Sequence, residues 1–168
     1  MDSVLEQIKS KIVSTEVLTR KIEAYRLKSD SIVFTNGCFD LLHLGHVSYL
    51  AQASALGSRL IVGLNSDASV QTLEKGALRP LQNQESRALI MASLAVVDLV
   101  VIFDEHTPLQ LIELIKPDVL VKGGDWHPES IVGYQEVKAR GGQVLSIPLE
   151  EGYSTSAIEK KIADFYRS

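Results

Sequence analysis

The residues best suited to chemistry lie together, in Thr35-Asn36-Gly37-Cys38-Phe39-Asp40-Leu41-Leu42-His43-Leu44-Gly45-His46. His43 and His46 are three positions apart, a spacing that puts both imidazoles on one side of a helix's first turn. Gly45 between them has no side chain to block an incoming group. Gly37 permits a tight turn and a close approach of ligand to backbone. A helix N-terminus adds unpaired N–H groups and partial positive charge. The combination suits a polyphosphate, with two imidazoles donating hydrogen bonds to charge that grows on it. A lone histidine here would read as a helix cap or a surface residue. Two histidines, a glycine and an aspartate after an apolar run read as a site.

Other chemistries fit poorly. Two histidines without Cys or carboxylate at ligand spacing make a poor zinc site. No Gly-x-Ser-x-Gly elbow supports a Ser-His-Asp hydrolase. The Gly-x-x-x-x-Gly-Lys-[Ser/Thr] loop of P-loop NTPases is missing, as is the Gly-x-Gly-x-x-Gly dinucleotide fingerprint.

The elements that must hold these residues alternate. Five short apolar runs rich in β-branched residues predict strands: Ile32 to Thr35, Leu60 to Leu64, Leu99 to Phe103, Val119 to Val121 and Val144 to Ile147. Helices are predicted over 46–56 (stopped by Gly57), 83–95, 107–115 (ended by Pro117), 131–140 and 156–166. Ser154, Thr155 or Ser156 is the N-cap of the last. Residues 65–81 read as a long polar connection. The expected fold is α/β, a Rossmann-like parallel five-stranded sheet with helices on both faces. Ligands of such sheets bind beyond the strands' carboxyl ends, where strand order reverses. Residues 1–28, rich in Lys, Glu and Leu, read as an N-terminal helical extension that packs on the body or on a second subunit. Residues 29–168 form the main domain.

Composition sets outer limits. The 168 residues suit a domain of ordinary size, with 45% hydrophobic and 23% charged residues. A net charge of −4 argues against nucleic-acid or anionic-membrane surfaces. Cys38 is the single cysteine, so no intrachain disulfide forms; it reads as a small buried residue without a catalytic role. No apolar run reaches a membrane span, and the N-terminus lacks a signal-peptide pattern. A cytoplasmic location is the default.

Phe34 to Asp40 followed by His43-Leu44-Gly45-His46 resembles the signature of the cytidylyltransferase-like nucleotidyltransferases, the HxGH superfamily. Three further segments are similar to its heptose-1-phosphate adenylyltransferase branch, the adenylyltransferase domain of the bifunctional heptose kinase/adenylyltransferases of lipopolysaccharide synthesis. They are Val62 to Val70, Lys116 to Asp125, and Ser154 to Ile158. The resemblance covers about residues 31 to 165 and lacks the kinase half, so a complete chain of this length resembles the stand-alone form. It implies transfer of AMP from ATP to D-glycero-D-manno-heptose 1-phosphate, giving ADP-heptose and pyrophosphate for inner-core or related surface glycans.

Roles follow from the same resemblance. His43, His46 and Lys75 form the expected catalytic set. Thr35, Asn36, Gly37, Lys122, Gly123, Ser154, Thr155 and Ser156 join both histidines around the nucleotide. Asp40, Asn65, Asp67, Arg79, Asp125 and Trp126 are expected at the substrate. Asp40 also reads as a group that orients a cation or a loop. Lys75 and Arg79 sit in the long connection and read either as cations closing over phosphates or as solvated residues. Arg87 reads either as a phosphate neighbour or as the partner of a nearby carboxylate. Mg²⁺ is expected with ATP, held mainly by the phosphates. The expected partners are ATP and a sugar phosphate, with no nucleic acid and no membrane, in a homodimer or higher homo-oligomer. Where related cytidylyltransferases carry an Arg before the last helix, this chain has Leu149-Glu150-Glu151-Gly152-Tyr153. That departure disfavours CTP and glycerol 3-phosphate. A cytidylyltransferase for a polyol or amino-alcohol phosphate, and a non-catalytic nucleotide-binding domain, are the alternatives.

Overall fold

The computed structural model describes residues 3–73 and 79–167. Five strands form one parallel sheet: β1 (Ile32–Gly37), β2 (Arg59–Asn65), β3 (Leu99–Phe103), β4 (Val119–Gly123) and β5 (Gln143–Ile147), in the order β3-β2-β1-β4-β5. The chain steps outward from β1 to β3, then returns to the other side of β1 for β4. Order therefore reverses between β1 and β4, which pair directly through Val33–Val119 to Thr35–Val121. This places the crevice beyond Gly37 and Gly123.

Strand periodicity splits the core into two layers. Ile32, Phe34, Ile61, Val101 and Leu120 face one side. They meet Leu18 and Ile22 of α2 (Thr15–Leu27), Leu111, Ile112 and Ile115 of α6 (Leu109–Ile115), and Val137 of α7 (Tyr134–Ala139). Val33, Leu60, Val62, Val100 and Val121 face the other. They meet Tyr49, Leu50 and Ala53 of α3 (Leu44–Ser54), and Ala88, Met91 and Ala92 of α5 (Gln84–Ser93). The alternation follows from successive strand side chains pointing to opposite faces.

The N-terminal segment packs on this body. After α1 (Val4–Lys9), Val13 N donates to Val100 O and Val100 N to Lys11 O, both at 2.9 Å, extending the sheet past β3. Lys11 Nζ donates to the carbonyls of Leu94 and Val97, and Leu18 of α2 is fully buried.

Several boundaries differ from the sequence reading. β1 and β4 each run two residues further, through Gly37 and Gly123, because ladder bonds to their neighbours continue past the apolar run. The stretch read as a polar connection contains α4 (Asp67–Thr72), opened by Ser66 Oγ accepting from Ser69 N at 3.1 Å. One turn of helix that buries only Ser69 and Val70 leaves too little periodicity to be read. The last helix, α8 (Thr155–Arg167), buries no residue.

Candidate active site

The cavity at the switch point has a volume of about 450 Å³, within the ordinary range for a small-molecule site. Its wall combines the end of β1 (Asn36, Gly37), the turn Cys38-Phe39-Asp40, His46 and Tyr49 of α3, Lys122 and Gly123 of β4, Arg79, and Thr155 and Ser156 of α8. Val70 and Leu149 complete it.

The turn after β1 carries backbone strain. Phe39 sits at φ 45°, an uncommon conformation for a non-glycine residue. Its ring folds back over Gly37, where an added Cβ would lie 2.9 Å from Phe39 Cε2. The same ring meets His46 edge-on, with centroids 5.2 Å apart. Gly37 thus makes room for a phenyl ring, and that ring in turn braces a histidine.

His43 is the N-cap of α3, extended at φ −140°, and makes no side-chain capping bond. Its ring is thereby left to stack on His46, with centroids 3.9 Å apart and planes 25° from parallel. Gly45 is buried between the two histidines, and a Cβ there would lie 3.1 Å from His43 Nδ1. That nitrogen is buried with no hydrogen-bond partner among the described residues. Burial holds the His43 imidazole below its ordinary pKa, so at neutral pH the ring is uncharged.

Asp40 organises the wall opposite. Its carboxylate accepts from Arg79 Nη1 at 2.6 Å, from Leu81 N at 2.9 Å and from Gln82 N at 3.0 Å. Gln82 Nε2 donates to the Asp40 carbonyl at 2.7 Å. Burial works to raise the Asp40 pKa, but the Leu81, Arg79 and Gln82 hydrogen bonds outweigh it and hold the group below the usual carboxylate value. Arg79 also pairs with Glu159 of α8 at 2.8 Å.

Two helix N-termini meet at this cavity. Ser154 Oγ accepts from Ala157 N at 3.1 Å, opening α8 so that Thr155 and Ser156 reach the wall. His46 presents the first turn of α3. With Lys122 and Arg79 close by, the surroundings favour an anion.

The structure gathers Asn36, Gly37, Asp40, His46, Arg79, Lys122, Gly123, Thr155 and Ser156 on one wall, with His43 stacked behind His46. Others expected at ligand stand elsewhere. Thr35 is buried within β1, its side chain bonded to the Tyr49 hydroxyl of α3. Asn65 is buried, with Nδ2 on Ser69 Oγ at 2.9 Å. Asp67 points away to Arg87, because α4 starts at once after β2 and turns the chain aside. Arg87 resolves toward the carboxylate reading. It is fully buried, and its guanidinium donates to Asp67 at 2.7 Å and to the carbonyls of Cys38, Asn65 and Gln82.

Asp125 and Trp126 line a separate shallow depression with His127, Ser146 and Pro148. The Trp126 indole is turned back, its Nε1 donating to Gly123 O at 3.1 Å. Ser154 caps its helix. Glu150 and Glu151 are exposed and off the wall, whereas Leu149 is on it. Lys75 lies outside the described residues. Phe39, Tyr49, Val70 and Leu149 are wall residues that the sequence reading did not place at the ligand. Phe39 had a readable signal, its place between a strand-ending glycine and the histidine pair.

Comparisons with known proteins agree with this geometry. Residues 34–161 match the family model described as cytidylyltransferase-like. The chain is 52% identical over 157 residues to a bifunctional protein HldE of Syntrophotalea carbinolica, covering 94% of this chain and 32% of that protein. It is 53% identical over 152 residues to a bifunctional protein HldE of Wolinella succinogenes, covering 90% of this chain and 31% of that one. The chain therefore spans about a third of the length of these curated relatives. Among solved structures, a lipopolysaccharide core biosynthesis protein from Thermoplasma volcanium superposes with a TM-score of 0.60 at 27% identity, covering 74% of this chain and 99% of that one. A matched region that includes both histidines and both helix starts of the cavity makes the assignment plain: the chain belongs to the cytidylyltransferase-like family.

Proposed function

We propose that this chain is a nucleotidyltransferase that moves AMP from ATP to D-glycero-D-manno-heptose 1-phosphate and releases pyrophosphate. The observation that carries the reading is the cavity itself. It lies at the switch point between two helix N-termini, with His46, Lys122 and Arg79 on its wall and His43 stacked behind. High identity to bifunctional HldE proteins across nearly the whole chain supports the heptose branch. So does the likeness to a protein named for lipopolysaccharide core biosynthesis.

The chemistry is an in-line displacement. The sugar phosphate oxygen attacks the α-phosphorus, a new P–O bond forms, and the bond to the β-phosphate oxygen breaks. No covalent enzyme intermediate is required, so catalysis rests on positioning and on stabilising charge. His46, braced by Phe39 and stacked on His43, donates to the phosphates. The uncharged His43 donates as a neutral imidazole. The N–H groups that open α8, with Thr155 and Ser156, receive the remaining phosphate oxygens. Asn36, Gly37 and Gly123 let the nucleoside approach the backbone. Lys75, expected from the sequence as a further catalytic cation, supplies positive charge to the phosphates. Asp40 acts through Arg79 and the Leu81–Gln82 amides, fixing a phosphate-facing guanidinium.

A divalent ion is read here as held mainly through the nucleotide. Among the described residues no three His, Cys, Asp or Glu side chains gather to hold a metal ion, and the Asp40 oxygens are already engaged. Mg²⁺ held by phosphate oxygens supplies charge neutralisation when bound. Among the described residues no helix is long and apolar enough to cross a membrane.

Pyrophosphate release tests the reading, with ATP or CTP offered against heptose 1-phosphate, glycerol 3-phosphate and amino-alcohol phosphates. ATP with heptose 1-phosphate is expected to turn over, and His43→Ala or His46→Ala to lose at least about a hundredfold in kcat. Turnover with CTP alone overturns the donor. Unchanged biological activity in both histidine variants overturns the enzyme reading.

A further inference from the structure

Arg79 spans the cavity edge between two carboxylates of unlike character. Its Nη1 donates to Asp40 Oδ2 at 2.6 Å, and its Nη2 forms an ion pair with Glu159 Oε2 at 2.8 Å. The Asp40 side chain is 7% exposed and is held by two further amides, so its position is fixed. The Glu159 side chain is 41% exposed, on a helix that buries nothing. Glu159 stands four residues after Thr155, on the same face of α8 as that cavity residue. A negative charge therefore sits beside a wall otherwise built for an anion.

We propose that Glu159 sets the affinity of this site for nucleoside triphosphate by competing with phosphate oxygens for the Arg79 guanidinium. The inference rests on the nucleotidyltransferase reading and adds a residue to it. Asp40 orients Arg79 without help, through a short and nearly buried charge-assisted bond. The Nη2 edge is thus the part of the guanidinium that a phosphate can take, since the planar fork matches phosphate as well as it matches carboxylate. Carboxylate and phosphate cannot occupy that edge together. The Glu159 carboxylate is the solvent-exposed end of this pair, so it moves into water at little cost when a triphosphate arrives. It re-pairs with Arg79 as pyrophosphate leaves. The carboxylate thereby weakens substrate binding and hastens release of the leaving product.

Titration calorimetry of ATP and of pyrophosphate into the full chain tests this with Glu159→Gln and Glu159→Ala. Both variants are expected to bind each ligand about threefold to tenfold more tightly than wild type at low salt, with the gain shrinking near ~0.5 M salt. KM for ATP falls in parallel, KM for the sugar phosphate stays, and the thermal midpoint is unmoved. A purely structural role predicts the reverse, weaker ATP binding with Ala worse than Gln and no dependence on salt. Equal or weaker ATP binding by Glu159→Gln overturns the proposal and leaves the nucleotidyltransferase reading intact. Wild type that binds ATP yet releases no pyrophosphate with any acceptor overturns that reading, while the calorimetric comparison still decides Glu159. Wild type that binds no ATP overturns both.

Discussion

Replacing Arg87 by Met should be among the most damaging single changes to this fold. Arg87 is 0% exposed and ties four segments together. Nε donates to Gln82 O at 3.0 Å, Nη1 to Cys38 O at 2.6 Å and Asn65 O at 2.8 Å, and Nη2 to Asp67 Oδ1 at 2.7 Å. Met keeps much of the apolar stem but none of the donors. Each buried carbonyl left without a donor costs at least about 1 kcal/mol. Asp67, with a side chain 34% exposed, recovers water and adds less. The expected loss is about 3 to 4 kcal/mol, near the cost of breaking other buried charged pairs. For a chain of this size that lowers the thermal midpoint by about 6 to 16 °C. Urea unfolding followed by circular dichroism measures it. Arg87→Lys should recover only part, since an ammonium cannot reproduce the planar fork. A loss below about 1 kcal/mol for Arg87→Met would falsify the argument that these bonds hold the ends of β1 and β2 together.

Gly45→Ala should spare the fold and damage catalysis, because the new Cβ would lie 3.1 Å from His43 Nδ1 and tilt the stacked pair. A loss of about tenfold to a hundredfold in kcat with an unshifted melting curve is expected; full activity would show that the stack tolerates displacement. The depressed His43 pKa makes a pH prediction. The unfolded chain takes up the His43 proton near the ordinary value of about 6.5, whereas the folded chain does so only at lower pH. Stability is therefore intact above about 6.5 and declines as pH falls toward the folded value. His43→Gln should flatten that decline, as read by urea midpoints at about pH 7.5 and 5.5; parallel slopes in both proteins would remove His43 as the cause. Tyr49→Phe removes a buried hydroxyl that bonds Thr35 and the Val121 carbonyl across β1 and β4. Burial pushes that phenol up to about 12, so it stays protonated. A loss of about 1 to 2 kcal/mol is expected, and a neutral effect in chemical denaturation would argue against it.

Much of this arrangement is legible before folding because its causes are local. Five runs of β-branched residues announce the parallel sheet, and buried strands need no partner to be recognised as apolar. His43, Gly45 and His46 belong to one helical turn, so their spacing alone places them together. Ser154-Thr155-Ser156 likewise marks a helix start. The resemblance of the flanking segments then suggested the proposed acceptor, which no spacing encodes.

What tertiary structure decided is the assignment of charges. Asp40, Asp67 and Arg79 follow strands or lie in a connection and Arg87 lies on a predicted helix, yet in sequence none of the four shows which partner it takes. Folding sends Asp67 to Arg87 in a buried clamp and Asp40 to Arg79 on the cavity wall, because α4 turns the chain away after β2 while the Phe39 turn keeps Asp40 at the crevice. These pairs join residues 20 and 39 positions apart, beyond the reach of any local pattern. The sequence by itself determined the sheet, the histidine pair and the helix starts that meet at the cavity. Only the tertiary structure decided which cation faces the cavity, which one is locked beneath it, and that Glu159 reaches across from α8 to hold Arg79.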